Sequence, residues 1–302
     1  MSDGAPVYGY TPADRAARAR RRDNERDDGS PTGLTPLMVA ARNGQVSVVS
    51  ELLDKGCDVD ARDERGRTSL MLAALYGQVS VVCELLDRGC DVDARDRGKC
   101  TALIHAAAQG HDSVVGKLLD KGCDVDARDT YGWTALMIAA QGLADTEGHD
   151  SVVGTLLDKG CDVDVRDTYG WTALMIAAQE GHDSIVGKLL ENGCDVDIVT
   201  RGADSVVDKF LEKGLFGRTA LMIAAQEGHD SVVDKLLEKG CDVNVKNDEG
   251  RTALMIAAEA GHDSVVAALR QRGGARRHRV DHFGERPPKH IICDHRVKET
   301  QQ

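Results

Sequence analysis

The sequence predicts an all-α repeat solenoid of stacked helix-turn-helix units, and three observations predict it. The segment TALMIAAQEGHDS occurs twice intact, at 172–184 and 219–231, and in drifted form five more times. Its opening threonines, Thr35, Thr68, Thr101, Thr134, Thr172, Thr219 and Thr252, are spaced by 33, 33, 33, 38, 47 and 33 residues. A 33-residue period marks a stacked helical repeat. Within each period the apolar residues fall on two helical faces separated by glycine. Such a unit buries its apolar face only against its neighbours, so the copies form one elongated core.

Residues 172–200 show how one unit is built. Thr172 is placed to cap a short helix through Ala178, because its hydroxyl can accept an orphan backbone N–H. Leu174, Ile176 and Ala177–Ala178 are small or apolar and allow close helix approach. Gly181 ends that helix, since glycine tolerates the left-handed conformation. Asp183 and Ser184 open a second helix with Ile185, Val186, Leu189 and Leu190 on one face, and Gly193 stops it. In intact units a polar turn rich in Asp and Gly follows, such as CDVDVRDTYGW at 161–171.

The pattern D-x-x-G-x-T-x-L-x-x-A-A…G-H…V-V…L-L…G-x-D-V-[DN] resembles the ankyrin repeat. It covers about 33–273 in seven copies plus one degenerate copy. The resemblance implies paired antiparallel helices with short β-hairpin fingers, and finger and inner-helix residues that contact a protein partner. One departure is that the family's Thr-Pro-Leu-His survives only as Thr35-Pro36-Leu37-Met38. The domains expected are a flexible polar leader at 1–32, the array at 33–273 and a basic, disordered tail at 274–302. The array is irregular near 142–146 and 198–217. Gly142–Thr146 are five extra residues between two helices, and GADSVVDKFLEKG at 202–214 is a second copy of an outer helix. We read 198–217 as a collapsed repeat, a misplaced exon boundary being the other reading.

Composition narrows the function classes. No apolar run approaches the roughly 18 residues of a membrane span, and the first residues have no apolar stretch of a secretory signal. The expected compartment is the cytoplasm, with the nucleus as alternative. Six of nine cysteines (Cys57, Cys90, Cys123, Cys161, Cys194 and Cys241) recur in GCDV, one per repeat. Layers about 8–10 Å apart exceed disulfide reach, so these read as small apolar residues in a reducing compartment. Cys100, in a turn outside that ladder, is the more reactive candidate. The net charge is −12, with +5 on 270–302 and zero on 1–32, which places −17 on the array. An acidic solenoid disfavours nucleic acid and suits a basic protein partner.

No motif carries catalysis: Walker loop, G-x-S-x-G, H-E-x-x-H and kinase signatures are absent, so a non-enzyme without cofactor or metal is expected. The repeated Gly-His residues (His111, His149, His182, His229 and His262) read as satisfying turns between helices. The DVDARD turns lack a calcium loop and read as carboxylates bonding local N–H groups. His278, His282, His290, Cys293 and His295 offer zinc-compatible spacing in the tail, where a mobile basic segment is the favoured reading.

Two finger rows vary while the scaffold stays fixed. They hold both tryptophans, and the aromatics gather at the middle of the array. The candidate partner-binding residues are Arg67, Tyr131, Trp133, Tyr169, Trp171, Phe216, Arg218 and Arg251 on the fingers, with Gln141 and Gln179 at the inner-helix ends. Exposed Trp, Tyr and Arg dominate binding hot spots. The competing reading is that Trp133 and Trp171 stack across adjacent fingers. The function expected is a monomeric, non-catalytic scaffold or adaptor for a protein partner. Alternatives are a regulatory subunit or substrate adaptor of an enzyme complex, and a thiol- or zinc-responsive switch.

Overall fold

The computed structural model of the chain describes residues 33–142, 146–200 and 216–280. Fourteen helices and no strand occur among them. The inner helices are α1 (Pro36–Arg42), α3 (Ser69–Leu75), α5 (Ala102–Ala108), α7 (Ala135–Gln141), α9 (Ala173–Glu180), α11 (Ala220–Glu227) and α13 (Ala253–Ala260). Each is followed by an outer helix: α2 (Val46–Asp54), α4 (Val79–Asp87), α6 (Asp112–Asp120), α8 (Thr146–Asp158), α10 (Asp183–Glu191), α12 (Asp230–Lys239) and α14 (Asp263–Val280). Every inner helix packs against its own outer helix and against the inner helices of adjacent repeats.

Local chemistry sets these boundaries. At six inner helices the repeat threonine sits in extended backbone and its Oγ1 accepts from the N–H three residues on, as in Met175 N to Thr172 Oγ1 at 3.4 Å. Thr252 makes no such bond. The central inner helices are buried almost throughout, as in all seven residues of α3 and all seven of α7, while the last, α13, buries only Ala253, Ile256 and Ala257. The outer helices bury one stripe, such as Ile185, Val186, Leu189 and Leu190 on α10, and their other face bears exposed ion pairs between layers. Lys121 reaches Asp87 at 2.8 Å and Lys159 reaches Asp120 at 2.7 Å.

The repeated histidines tie layers together. His111 Nε2 lies 3.2 Å from the Leu75 carbonyl, His149 3.2 Å from Ala108, His182 3.2 Å from Gln141, His229 3.0 Å from Gln179 and His262 2.9 Å from Gln226. A carbonyl only accepts, so Nε2 carries the proton in each. Each bond satisfies an orphan carbonyl at the end of the preceding inner helix. The second layer uses Gln78 Nε2 on the Arg42 carbonyl at 3.1 Å.

The fingers are tight turns, each closed by two backbone bonds, such as Asp129 N to the Trp133 carbonyl at 3.0 Å and Gly132 N to the Asp129 carbonyl at 3.1 Å. Their backbones meet those of neighbouring fingers through single bonds, among them Thr130 N to Gly98 O at 2.9 Å. The expected β-hairpins therefore do not reach strand length among the described residues. Four residues between Asp and Thr leave no room for a ladder.

The described repeats on either side of both irregular segments pack directly on one another. The extra residues after Gln141 coincide with a longer α8, of 13 residues against nine in α6. Residues 201–215 lie outside the described residues, but their flanks do not. Thr200 N donates to Arg218 O, Gly217 N to Thr200 O, and Arg218 N to Thr200 Oγ1. These are the bonds of an ordinary finger. Beyond it α9 packs on α11 and Asp242 N reaches Asp197 Oδ1 at 2.8 Å. The fifth and sixth repeats are thus direct neighbours with no further layer between them. The leader and most of the tail, including Cys293 and its neighbouring histidines, lie outside the described residues. The last helix runs to Val280, past residue 273 where the sequence closes the array.

Candidate protein-binding face

Each finger is organised by one buried acceptor at its base. Asp129 Oδ1 accepts from Tyr131 N at 2.8 Å and Trp133 N at 2.9 Å. Asp167 does the same for Tyr169 and Trp171, Asp63 for Arg65 and Arg67, and Asn247 for Glu249 and Arg251. These bonds reverse the chain and decide which side chains point out. The residue two after the acceptor lies at the tip; the residue four after it turns inward.

That alternation divides the candidate residues. Tyr131 is 40% exposed, and Tyr169 and Phe216 are half-buried. Trp133 and Trp171 are only 1% and 2% exposed and belong to the core. The expectation that both indoles are surface anchors is therefore corrected. Trp133 Nε1 donates to Asp167 Oδ2 of the next finger at 3.0 Å, so it links layers. Burial, opposed by these three donors, raises the Asp167 carboxyl above the usual range, and Asp129 nearby adds to the rise.

The arginines in the same row follow the tryptophans inward. Arg67 is buried, with Nε 2.8 Å from Asp63 Oδ2. Arg218 is buried, and loss of solvent together with the charge of Arg251 holds its guanidinium below the usual value. Arg251 is half-buried between Glu249 and Glu259. Gln141 is buried and Gln179 partly so. Arg67, Arg218 and Gln141 are thus structural side chains, and their exposure is likewise corrected. The two arginines, like the tryptophans, lead directly into an inner helix and cover the seam between layers, whereas Gln141 ends α7, where the next layer's His182 packs against its carbonyl.

Tyr76, which the sequence reading passed over, is 41% exposed at the C-terminal end of α3. Its signal in the sequence is an aromatic where other repeats carry Asn43, Gln109, Gly142, Glu180, Glu227 or Ala260.

The Asp-rich turns are internally satisfied. Asp58 Oδ1 accepts from Asp60 N at 3.0 Å, while Asp60 Oδ1 accepts from Asp91 N of the next repeat at 3.0 Å. The same relay recurs through Asp93 to Asp124, Asp126 to Asp162 and Asp164 to Asp195. No carboxylate cage of a calcium loop is formed there. The GCDV cysteines behave as apolar side chains along most of the ladder. Burial, with nearby carboxylates, pushes the Cys90, Cys123, Cys161 and Cys194 thiols up to about 12. Cys57, in the first repeat, is exposed.

Stacked helix pairs with short registered fingers define a class, the helical repeat proteins whose fold supplies a long surface rather than a pocket. The family described as ankyrin repeats (3 copies) matches residues 8–96, 103–200 and 197–277. The chain belongs to the ankyrin-repeat family. It is similar to the crystal structure of the human ASB11 ankyrin repeat domain, with 26% identity and a TM-score of 0.64, over 84% of this chain and 100% of that one. It is also similar to the ankyrin repeat domain of Bcl-3, a member of the IkappaB protein family, with 28% identity and a TM-score of 0.65, over 79% of this chain and 99% of that one. No curated protein matches in the sequence comparison. Ankyrin repeats are in general protein–protein interaction modules. Among the described residues no helix is long and apolar enough to cross a membrane.

Proposed function

We propose that the chain is a non-catalytic, monomeric scaffold or adaptor that binds a protein partner through the finger-lined face of the solenoid. The observation that carries this reading is the row of exposed Tyr131 and half-buried Tyr169 and Phe216, held at the tips of fingers whose bases are fixed by buried carboxylates or their Thr200 equivalent. Aromatics held rigidly lose little conformational entropy on binding, and Tyr is among the residue types that dominate interface energetics. The acidic array favours a basic partner, by steering and by complementarity. We place this activity in the cytoplasm.

The test is a pull-down from native lysate with quantitative mass spectrometry, comparing wild type with Tyr131→Ala/Tyr169→Ala. The tryptophans stay intact because they hold the core. A partner retained by wild type and depleted at least tenfold with the variant supports the site. Equal recovery with both proteins removes the finger tips from the interface.

A further inference from the structure

The third repeat departs from the others at three positions that converge on one finger. Cys100 stands where the other repeats carry Leu34, Arg67, Trp133, Trp171, Arg218 and Arg251. His105 stands on α5 where they carry Val39, Leu72, Ile138, Ile176, Ile223 and Ile256. Gly98 takes the tip position and passes the left-handed conformation to Lys99, the one non-glycine with positive φ among the described residues.

These changes surround Asp96. His105 Nε2 lies 3.0 Å from Asp96 Oδ2, and Cys100 N donates to Asp96 Oδ1 at 2.8 Å, which fixes the carboxylate. One ligand atom from each of Asp96, Cys100 and His105 lies within 4.8 Å of the other two. The imidazole and carboxylate are only 13% and 11% exposed. A side chain at Gly98 would crowd this space, since a Cβ there would fall 3.3 Å from Asp96 Oδ1 and 3.7 Å from Cys100 Sγ.

We propose that Asp96, Cys100 and His105 form a zinc site at the base of the third finger. A thiolate, an imidazole and a carboxylate are the donor types that zinc takes, and three protein ligands leave a fourth position for water. The thiolate excludes magnesium and calcium as fitting occupants. With bonds of about 2.0–2.1 Å, the N–O edge of a tetrahedral site is about 3.3 Å, so the 3.0 Å His–Asp contact needs to open by only a few tenths of an ångström. On binding, the Cys100 S–H proton leaves to solvent as the S–Zn bond forms, and affinity therefore rises with pH. The ion would join finger to inner helix in the repeat that lacks the Trp or Arg plug of its neighbours. It would thereby set the position of the turn at Gly98 and Lys99.

The test uses the reduced, metal-stripped full chain titrated with Co²⁺ and then Zn²⁺, with Cys100→Ser, His105→Ile and Cys293→Ser variants. His105→Ile restores the aliphatic residue that other repeats use, so its fold is checked by melting temperature and is expected to survive. Wild type and Cys293→Ser should each show one thiolate-to-cobalt charge-transfer band, displaced by one equivalent of zinc. Cys100→Ser and His105→Ile should lose the band and weaken zinc binding by about 100-fold or more, beyond the 10–100-fold that an outer-shell loss costs. Absence of the band in wild type, its persistence in Cys100→Ser, or its loss in Cys293→Ser would overturn the assignment.

Discussion

At the residue scale, one position on each finger separates a surface residue from a core residue, and Tyr131 and Trp133 show the consequence. Trp133 fills the seam and donates to Asp167; Tyr131 projects from the tip. Trp133→Phe keeps most of the apolar volume but leaves a buried carboxylate oxygen short of a donor. The expected cost is about 1–3 kcal/mol, read by urea denaturation, whereas Tyr131→Ala should stay within about 0.5 kcal/mol. An equal loss in both variants would contradict the assignment of roles. Thiols divide in the same way. In native protein near neutral pH, Cys57 should be alkylated well before Cys161 and Cys194, whose burial keeps them protonated.

At the element scale, the joints between layers depend on a glycine and a histidine together. Gly181 has φ 74° and closes α9, and a Cβ there would come within 2.7 Å of the His229 ring. Gly181→Ala meets both penalties. The left-handed conformation alone costs about 1–2 kcal/mol, so a loss of at least that size is expected in chemical denaturation. His229→Ala would leave the Gln179 carbonyl without its bond from the next layer, at about 1 kcal/mol. Because the two residues are in contact, the double variant should cost less than the sum of the single losses. Strict additivity would show that the ring and the glycine are energetically independent.

At the scale of the whole molecule, the repeats form one continuous stack despite two insertions. Deleting 201–214 would leave Thr200 five residues before Thr219, the spacing of Asp63 to Thr68. Since Thr200 already bonds Gly217 and Arg218 as a finger base, the shortened chain should fold. The smaller loop-closure entropy should add about 1 kcal/mol of stability. A lower or split melting transition would mean that the segment is part of the stack. The thiols predict alkaline behaviour as well. In the unfolded chain they ionise near 9, but in the fold Cys90, Cys123, Cys161 and Cys194 hold their protons to about 12. Their contribution is complete below pH 9 and is lost between 9 and 12, where the unfolded state sheds protons that the native state retains. The unfolding midpoint should fall across that window, and Cys161→Ala/Cys194→Ala should flatten the decline.

The threonine period, the caps at Thr35 to Thr219 and the aliphatic faces were enough to determine the solenoid. Each depends on residues close in sequence and on a repeated pattern that leaves little choice of neighbour. The roles of the histidines and of the turn carboxylates were legible for the same reason: every repeat poses the same unsatisfied groups. What only the tertiary structure decided was direction and adjacency across layers. Whether Trp133 faces solvent depends on the bond its N–H donates to Asp129 four residues earlier and on Asp167 one layer away. Whether 198–217 interrupts the stack depends on Thr200 meeting Arg218 across residues that separate them in sequence. His105 reads as one odd residue in an aliphatic column until the finger folds back and brings Asp96 and Cys100 to it. Local patterning fixes which elements form, while the path of each turn fixes which side chains meet.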